Sequence, residues 1–158
     1  LATIAIATDE GIEDAAIVGE AITREVLERD RIVADVLRSA RSAQVLVFSL
    51  GSVGDDSVLM RSGNVLRSEM TSLVEAGAVG DLLGHFINRR GEIVDPELDA
   101  RTIGLSLSNL RSRDRVIGVA VGAAKQKVTL GALKAGLINV LITDEATASY
   151  ALEHAHER

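Results

Sequence analysis

The sequence predicts an α/β fold built on a parallel sheet with helices on both faces, and two stretches make the case. The first is Arg115-Val-Ile-Gly-Val-Ala-Val-Gly-Ala-Ala-Lys125, where the β-branched run Val116 to Val121 ends at Gly122. It passes straight into a helical segment, Ala123 to Ala135. The second is Gly136-Leu-Ile-Asn-Val-Leu-Ile-Thr-Asp-Glu145, where Ile138 to Thr143 reads as another buried strand. Asp144 and Glu145 then open a helix over Ala146 to His154. Strand, helix, strand, helix at this spacing implies parallel strands joined by right-handed crossovers. Ligands bind such sheets beyond the carboxyl ends of the strands, where Gly122, Lys125, Asp144 and Glu145 fall.

The remaining elements follow in order. Thr3 to Ala7 is a short apolar strand, and Glu13 to Arg29 has helical composition with an apolar stripe broken by charges. Ile32 to Ala40 shows an apolar period near 3.6, the mark of an amphipathic helix. Gln44 to Leu50 is a buried strand closed by Gly51, and Gly51-Ser-Val-Gly-Asp-Asp is a loop at its carboxyl end. Leu66 to Ala76 is a helix ended by Gly77 in the left-handed conformation that glycine tolerates. Leu82 to Asn88 is read as one strand, paired through Arg89-Arg90-Gly91 with Glu92 to Val94. Pro96 closes that hairpin or starts a turn, Ile103 to Leu105 is a brief strand, and Leu107 to Arg111 a short helix.

Composition narrows the function. With 158 residues there is enough chain for one domain with a real core. That core is aliphatic, because Phe48, Phe86 and Tyr150 are the only aromatic residues. Without cysteine there is no disulfide, thiol chemistry or thiolate metal site. A net charge of −6 argues against direct DNA binding, which needs a basic surface to displace counterions from phosphates. Arg111, Arg113 and Arg115 read as a solvated face. No apolar run is long enough to cross a membrane, so a cytoplasmic protein is expected. The chain starts at Leu1 rather than methionine, and is therefore expected to be part of a longer protein.

Several residues are candidates for chemistry. All three lysines, Lys125, Lys127 and Lys134, lie in one helix. A cation in the first helical turn opposes the macrodipole, so Lys125 is either a solvated side chain or the partner of an anion held at the helix start. Gly51-Ser52-Val-Gly54 either brings backbone N–H groups to a phosphate or sugar, or is simply a tight turn. It carries neither the Gly-Lys-Ser/Thr of a nucleotide-binding loop nor the dinucleotide fingerprint. Arg61, just past that loop, is an exposed arginine or a fork for a phosphate. Asp81 either accepts two hydroxyls or caps a turn. Asp144 is best placed as the cap of its helix, and no histidine has the neighbours of a metal site. With no Gly-x-Ser-x-Gly elbow and no buried carboxylate pair in view, no catalytic residue is assigned.

Four ordered blocks resemble one family. Gly51-Ser-Val-Gly with Ser57-Val-Leu-Met-Arg-Ser-Gly63 is the first, and Ala78-Val-Gly-Asp-Leu-Leu-Gly-His-Phe the second. Thr102-Ile-Gly-Leu-Ser-Leu-Ser-Asn-Leu-Arg111 is the third, and Arg115 to Thr147 the fourth. Their order and spacing are similar to the effector-binding domain of the SorC/DeoR-type sugar-binding transcriptional regulators, over roughly residues 24 to 152. The resemblance implies a three-layer, Rossmann-like sheet of the sugar-phosphate isomerase/CoA-transferase-like kind. It also implies a phosphorylated sugar as effector. Lys125 and Arg61 would then meet the phosphate, while Asp81 and the Gly51–Ser52 loop meet the sugar beside Gly122. Where family members often carry Gly-Gly, this chain has Val121-Gly122, which is expected to narrow the space beside the ligand.

The same resemblance implies a homodimer or tetramer, and contact with DNA only through an N-terminal helix-turn-helix domain. That domain and the early part of the sugar domain are absent from this sequence. The expected function is therefore ligand sensing without catalysis and without a cofactor. The rival is a sugar-phosphate isomerase, which would need Asp81 as a general base with a raised pKa.

Overall fold

The structure is a computed structural model that describes residues 4–6 and 17–156. At its centre lies β2 (Val45–Gly51), whose apolar residues alternate in and out. Along one edge it pairs in parallel with β5 (Arg115–Ala120), which pairs in parallel with β6 (Val140–Thr143). The other edge is shared. β1 (Ile4–Ile6) runs parallel to Val45–Val47, and β3 (Gly80–Leu82) runs antiparallel to Leu50 and Gly51. β4 (His85–Ile87) extends the sheet from β3. The α/β class holds, and the four strands β1, β2, β5 and β6 are parallel as expected. An antiparallel hairpin makes the whole sheet mixed.

One face of this sheet is dry. Leu46, Phe48 and Leu50 of β2 and Val116 and Ala120 of β5 are buried. They pack with Leu107 and Leu110 of α6 (Leu107–Arg111), and with Val128 and Ala132 of α7 (Gln126–Lys134). A second cluster gathers Ile17, Val65, Phe86 and Leu98 with Met70 and Leu73 of α4 (Arg67–Glu75). The amphipathic pair α1 (Ala21–Arg29) and α2 (Arg31–Ser42) contributes little to either: only Leu37 is buried. Their apolar stripe, Ile22, Val26, Ile32 and Val36, stays exposed.

Several sequence expectations need revision. Helix α1 starts at Ala21, so the Val18 to Glu20 part of the expected helix from Glu13 is non-helical. The start of that helix lies outside the described residues, as do both ends of the first expected strand. Leu82 to Asn88 is not one strand: Leu83 and Gly84 turn the chain between β3 and β4, both at positive φ. That is the backbone a two-residue hairpin needs. The Glu92 to Val94 segment survives only as a bridge between Ile93 and Ile87. Pro96 begins the short helix α5 (Pro96–Ala100), capped by Asp95. Ile103 to Leu105 is not a strand.

The arginine run is not simply a solvated face. Arg113 donates to the carbonyls of Arg41 and Ala43, closing the end of α2. Arg111 donates to the carbonyl of Ala135 past the end of α7. Both guanidiniums satisfy carbonyls that a helix leaves unpaired at its C-terminus.

Candidate functional site

The carboxyl ends of β2 and β5 lie side by side, and the candidate residues gather there. Gly51 ends β2, and its partner across the antiparallel ladder is Asp81 of β3. A Cβ on Gly51 would stand 1.8 Å from Asp81 Oδ1. The missing side chain is therefore what lets the carboxylate lie over the end of β2. Ser52, next in the chain, is also buried.

Asp81 is only 7% exposed. Its Oδ2 accepts one hydrogen bond, from the Gly84 N–H at 3.0 Å. Burial pushes its pKa up from 3.8 to about 6, against the pull of that hydrogen bond and of the charges on His85 and Lys125. A carboxylate with one internal donor and spare acceptor capacity suits a ligand that supplies hydroxyl donors.

Lys125 approaches from β5. Gly122 takes φ 95°, a value that favours glycine, and the chain then makes one 3₁₀ turn, Ala123–Lys125. Lys125 is thus the N-cap of α7 rather than a residue inside its first turn. No side chain caps this helix, and no acidic residue lies in its first turn. Among the described residues the Lys125 side chain makes no ion pair within 4 Å, though its charge acts on Asp81. The half-buried Lys125 at a helix start without a side-chain cap makes an anion-attracting corner.

Next to it, Asp144 caps α8 (Glu145–Glu153) through Thr147 N–H at 2.8 Å. Its other oxygen accepts from Gly122 N–H at 2.7 Å and from the Thr147 hydroxyl. These hydrogen bonds, Gly122 first, hold its pKa below the usual carboxylate range. The capping role expected of Asp144 is correct, and it also fixes the Gly122 turn. Val121 and Gly122 lie at an open part of the surface. Val121 is 62% exposed, and nothing lies within 4 Å of where a Gly122 side chain would start.

The structure thus brings Gly51, Ser52, Asp81, Gly122 and Lys125 to one end of the sheet. Arg61 stands apart from them, exposed at the last residue of α3 (Val58–Arg61). A hollow of about 510 Å³ lined by Glu20, Glu69 and Arg101 contains none of the six candidates. Two further buried polar groups carry no signal in the sequence. The Ser57 hydroxyl, buried at the start of α3, has no hydrogen-bond partner among the described residues. His85 is buried with Nδ1 2.6 Å from Asp99 Oδ1 and Nε2 3.0 Å from the Leu105 carbonyl. Asp99 is fourteen positions along the chain, so no local spacing signals that pair.

Residues 5–153 match the model of the Sugar-bind family, a family of sugar-binding domains. The chain belongs to this family. Among curated relatives, the transcriptional regulator LsrR of Enterobacter sp. (strain 638) is 38% identical over 126 residues, covering 78% of this chain. The deoxyribonucleoside regulator of Bacillus subtilis is 34% identical over 125 residues, covering 79%. This Sugar-bind chain spans 39% and 40% of their lengths. Among solved structures, a DeoR family transcriptional regulator from Listeria monocytogenes superposes with a TM-score of 0.79 at 25% identity, over 86% of this chain and 55% of that one. The full-length sorbitol operon regulator SorC from Klebsiella pneumoniae gives 0.76 at 24% identity, over 87% and 44%. At that identity the second likeness is one of fold.

Proposed function

We propose that this chain is the effector-sensing part of a transcriptional regulator and that its effector is a phosphorylated sugar. The observation that carries this reading is that the buried Asp81 lies over the glycine that ends β2, within electrostatic reach of Lys125. One sugar phosphate has the chemistry for both: hydroxyls donate to Asp81, and the phosphate sits at the uncapped start of α7 with Lys125. Gly51 and Ser52 offer backbone groups to the sugar, and Gly122 gives the open floor beside it. Arg61, exposed at the end of α3 and apart from these residues, would reach the phosphate only by a change in the segment after the loop.

Binding acts on DNA through another domain of the longer protein, by favouring one arrangement of a cytoplasmic homodimer or tetramer. Relatives that are named regulators of transcription support this part.

The test is a thermal-shift screen of this chain with pentose and hexose phosphates and their unphosphorylated counterparts. A selective rise in melting temperature with a phosphosugar, lost in Lys125→Ala, is the expected result. Equal stabilisation of wild type and Lys125→Ala would remove the phosphate role.

One observation favours a second reading. A buried carboxylate with its pKa pushed up to about 6 is suited to act as a general base, as an isomerase would require. Incubation of a bound phosphosugar in deuterium oxide separates the two: deuterium at C2 supports the enzyme, and its absence leaves the sensor.

A further inference from the structure

His85 has no place in the ligand contacts above, yet it is 4% exposed and holds three chain segments together. Its ring lies between Asp99 of α5 and the carbonyl of Leu105, ahead of α6. Both partners are acceptors when Asp99 is ionised, so both bonds form only if the ring carries two N–H groups. The geometry thus accommodates a ring with a proton on each nitrogen. His85 is also the first residue after the Leu83-Gly84 turn and pairs with Leu82 across it. Leu83 sits at φ 53°, a conformation that a bulky side chain rarely adopts and that needs its surroundings to hold it. The Gly84 N–H of that same turn is the donor to Asp81.

We propose that His85 is a positioning residue for Asp81: strapped between Asp99 and the Leu105 carbonyl, it locks the turn that presents the carboxylate and sets a cation behind it. The inference rests on the reading that Asp81 receives the hydroxyls of the sugar. The charged groups facing Asp81 are His85 from β4 and Lys125 from the turn before α7. Gly51 and Gly84 bring only backbone to it. Asp99 lies behind His85, its Oδ1 2.6 Å from Nδ1. A proton on both nitrogens of His85 would, like Lys125, favour the ionised form of Asp81, the form that accepts from two hydroxyls.

The experiment needs no ligand. Carboxyl carbons of the aspartates are labelled with carbon-13, and the titration of Asp81 is followed by NMR in wild type, His85→Asn and Asp99→Asn. In His85→Asn its midpoint rises by about one pH unit, because the cation behind it is gone, whereas Asp99→Asn removes an anion as well and moves it less. An unmoved midpoint in folded His85→Asn overturns the proposal. Should the variants not fold, nitrogen-15 spectra of the wild-type imidazole at pH 6.5 decide alone. Protons on both ring nitrogens support the strap, and one neutral tautomer sinks it. Calorimetry with fructose 6-phosphate and ribose 5-phosphate at pH 6 and pH 8 then isolates the underlying reading. If neither binds wild type, the sugar role of Asp81 falls while the titration still judges His85. If one binds, His85→Asn weakens it more at pH 6 than at pH 8, and equal weakening at both counts against positioning by charge.

Discussion

Two aspartates stand at the same end of the sheet, and burial and hydrogen bonding drive them in opposite directions. Asp81 is buried with one backbone donor, and its pKa is pushed up to about 6. Asp144 is only half-buried, collects three donors, and titrates below the ordinary range. Asp144 is finished: it closes a helix and ties the β5 turn to β6. Asp81 is unfinished, with acceptor capacity that the fold does not use. The difference teaches how to separate structural from ligand-facing carboxylates where both follow a strand. The structural one is held by the protein's own donors, and the one proposed to face the ligand is left at a cost.

That cost gives the largest expected effect. The native pKa of Asp81 lies above its unfolded value, so the folded chain holds a proton more tightly between pH 3.8 and about 6. Stability therefore falls as pH rises through that window and stays lowered above it. The gap corresponds to about 3 kcal/mol at neutral pH. Asp81→Asn is expected to melt several degrees higher than wild type at pH 7.5 and to lose most of that advantage by pH 4.5. It should also cease to distinguish sugars by their hydroxyls. Calorimetric melts at the two pH values check the first expectation; an Asn variant no more stable than wild type at pH 7.5 would show the carboxylate to be well accommodated.

Asp144 should behave in the opposite sense. Its native pKa lies below the unfolded value, so its contribution is present above pH 3.8 and is lost as pH falls below it. Asp144→Ala is expected to lower the melting temperature by a few degrees at pH 7, through loss of the α8 cap and the Gly122 bond. Hydrogen exchange should report faster opening at Gly122 as well as at Thr147. Faster exchange at Thr147 alone would mean that the two junctions are not coupled.

The parallel half of the fold was legible because its signals are local. Val116 to Val121, Ile138 to Thr143 and the Asp144 cap each lie within a few residues of what they determine. The β3–β4 turn was hidden because Leu83 stands where asparagine or glycine usually marks a tight hairpin, so the apolar run from Leu82 looked continuous. The site was legible as a list of residues and not as an arrangement. Gly51 and Asp81 are thirty positions apart, and only strand pairing places one over the other. His85 with Asp99, and Arg113 with the end of α2, depend on partners whose distance along the chain leaves no pattern.

The smallest stability effect is expected at Lys125, and its smallness is informative. Removing a cation from the start of α7 relieves an opposition to the macrodipole, a gain of about 0.3–1 kcal/mol. The same change takes a positive charge from the neighbourhood of Asp81, which makes that buried carboxylate harder to ionise. The two effects oppose each other, so Lys125→Gln should melt within about 1 °C of wild type at pH 7. Against that flat background, the effector loses a charge-assisted contact of about 1.5–3 kcal/mol, or roughly tenfold to a hundredfold in affinity. A side chain that matters to binding and hardly at all to folding is what an anion site requires. A clear fall in melting temperature without ligand would instead make Lys125 the structural partner of Asp81, and the contrast between the two aspartates would shrink to one of burial alone.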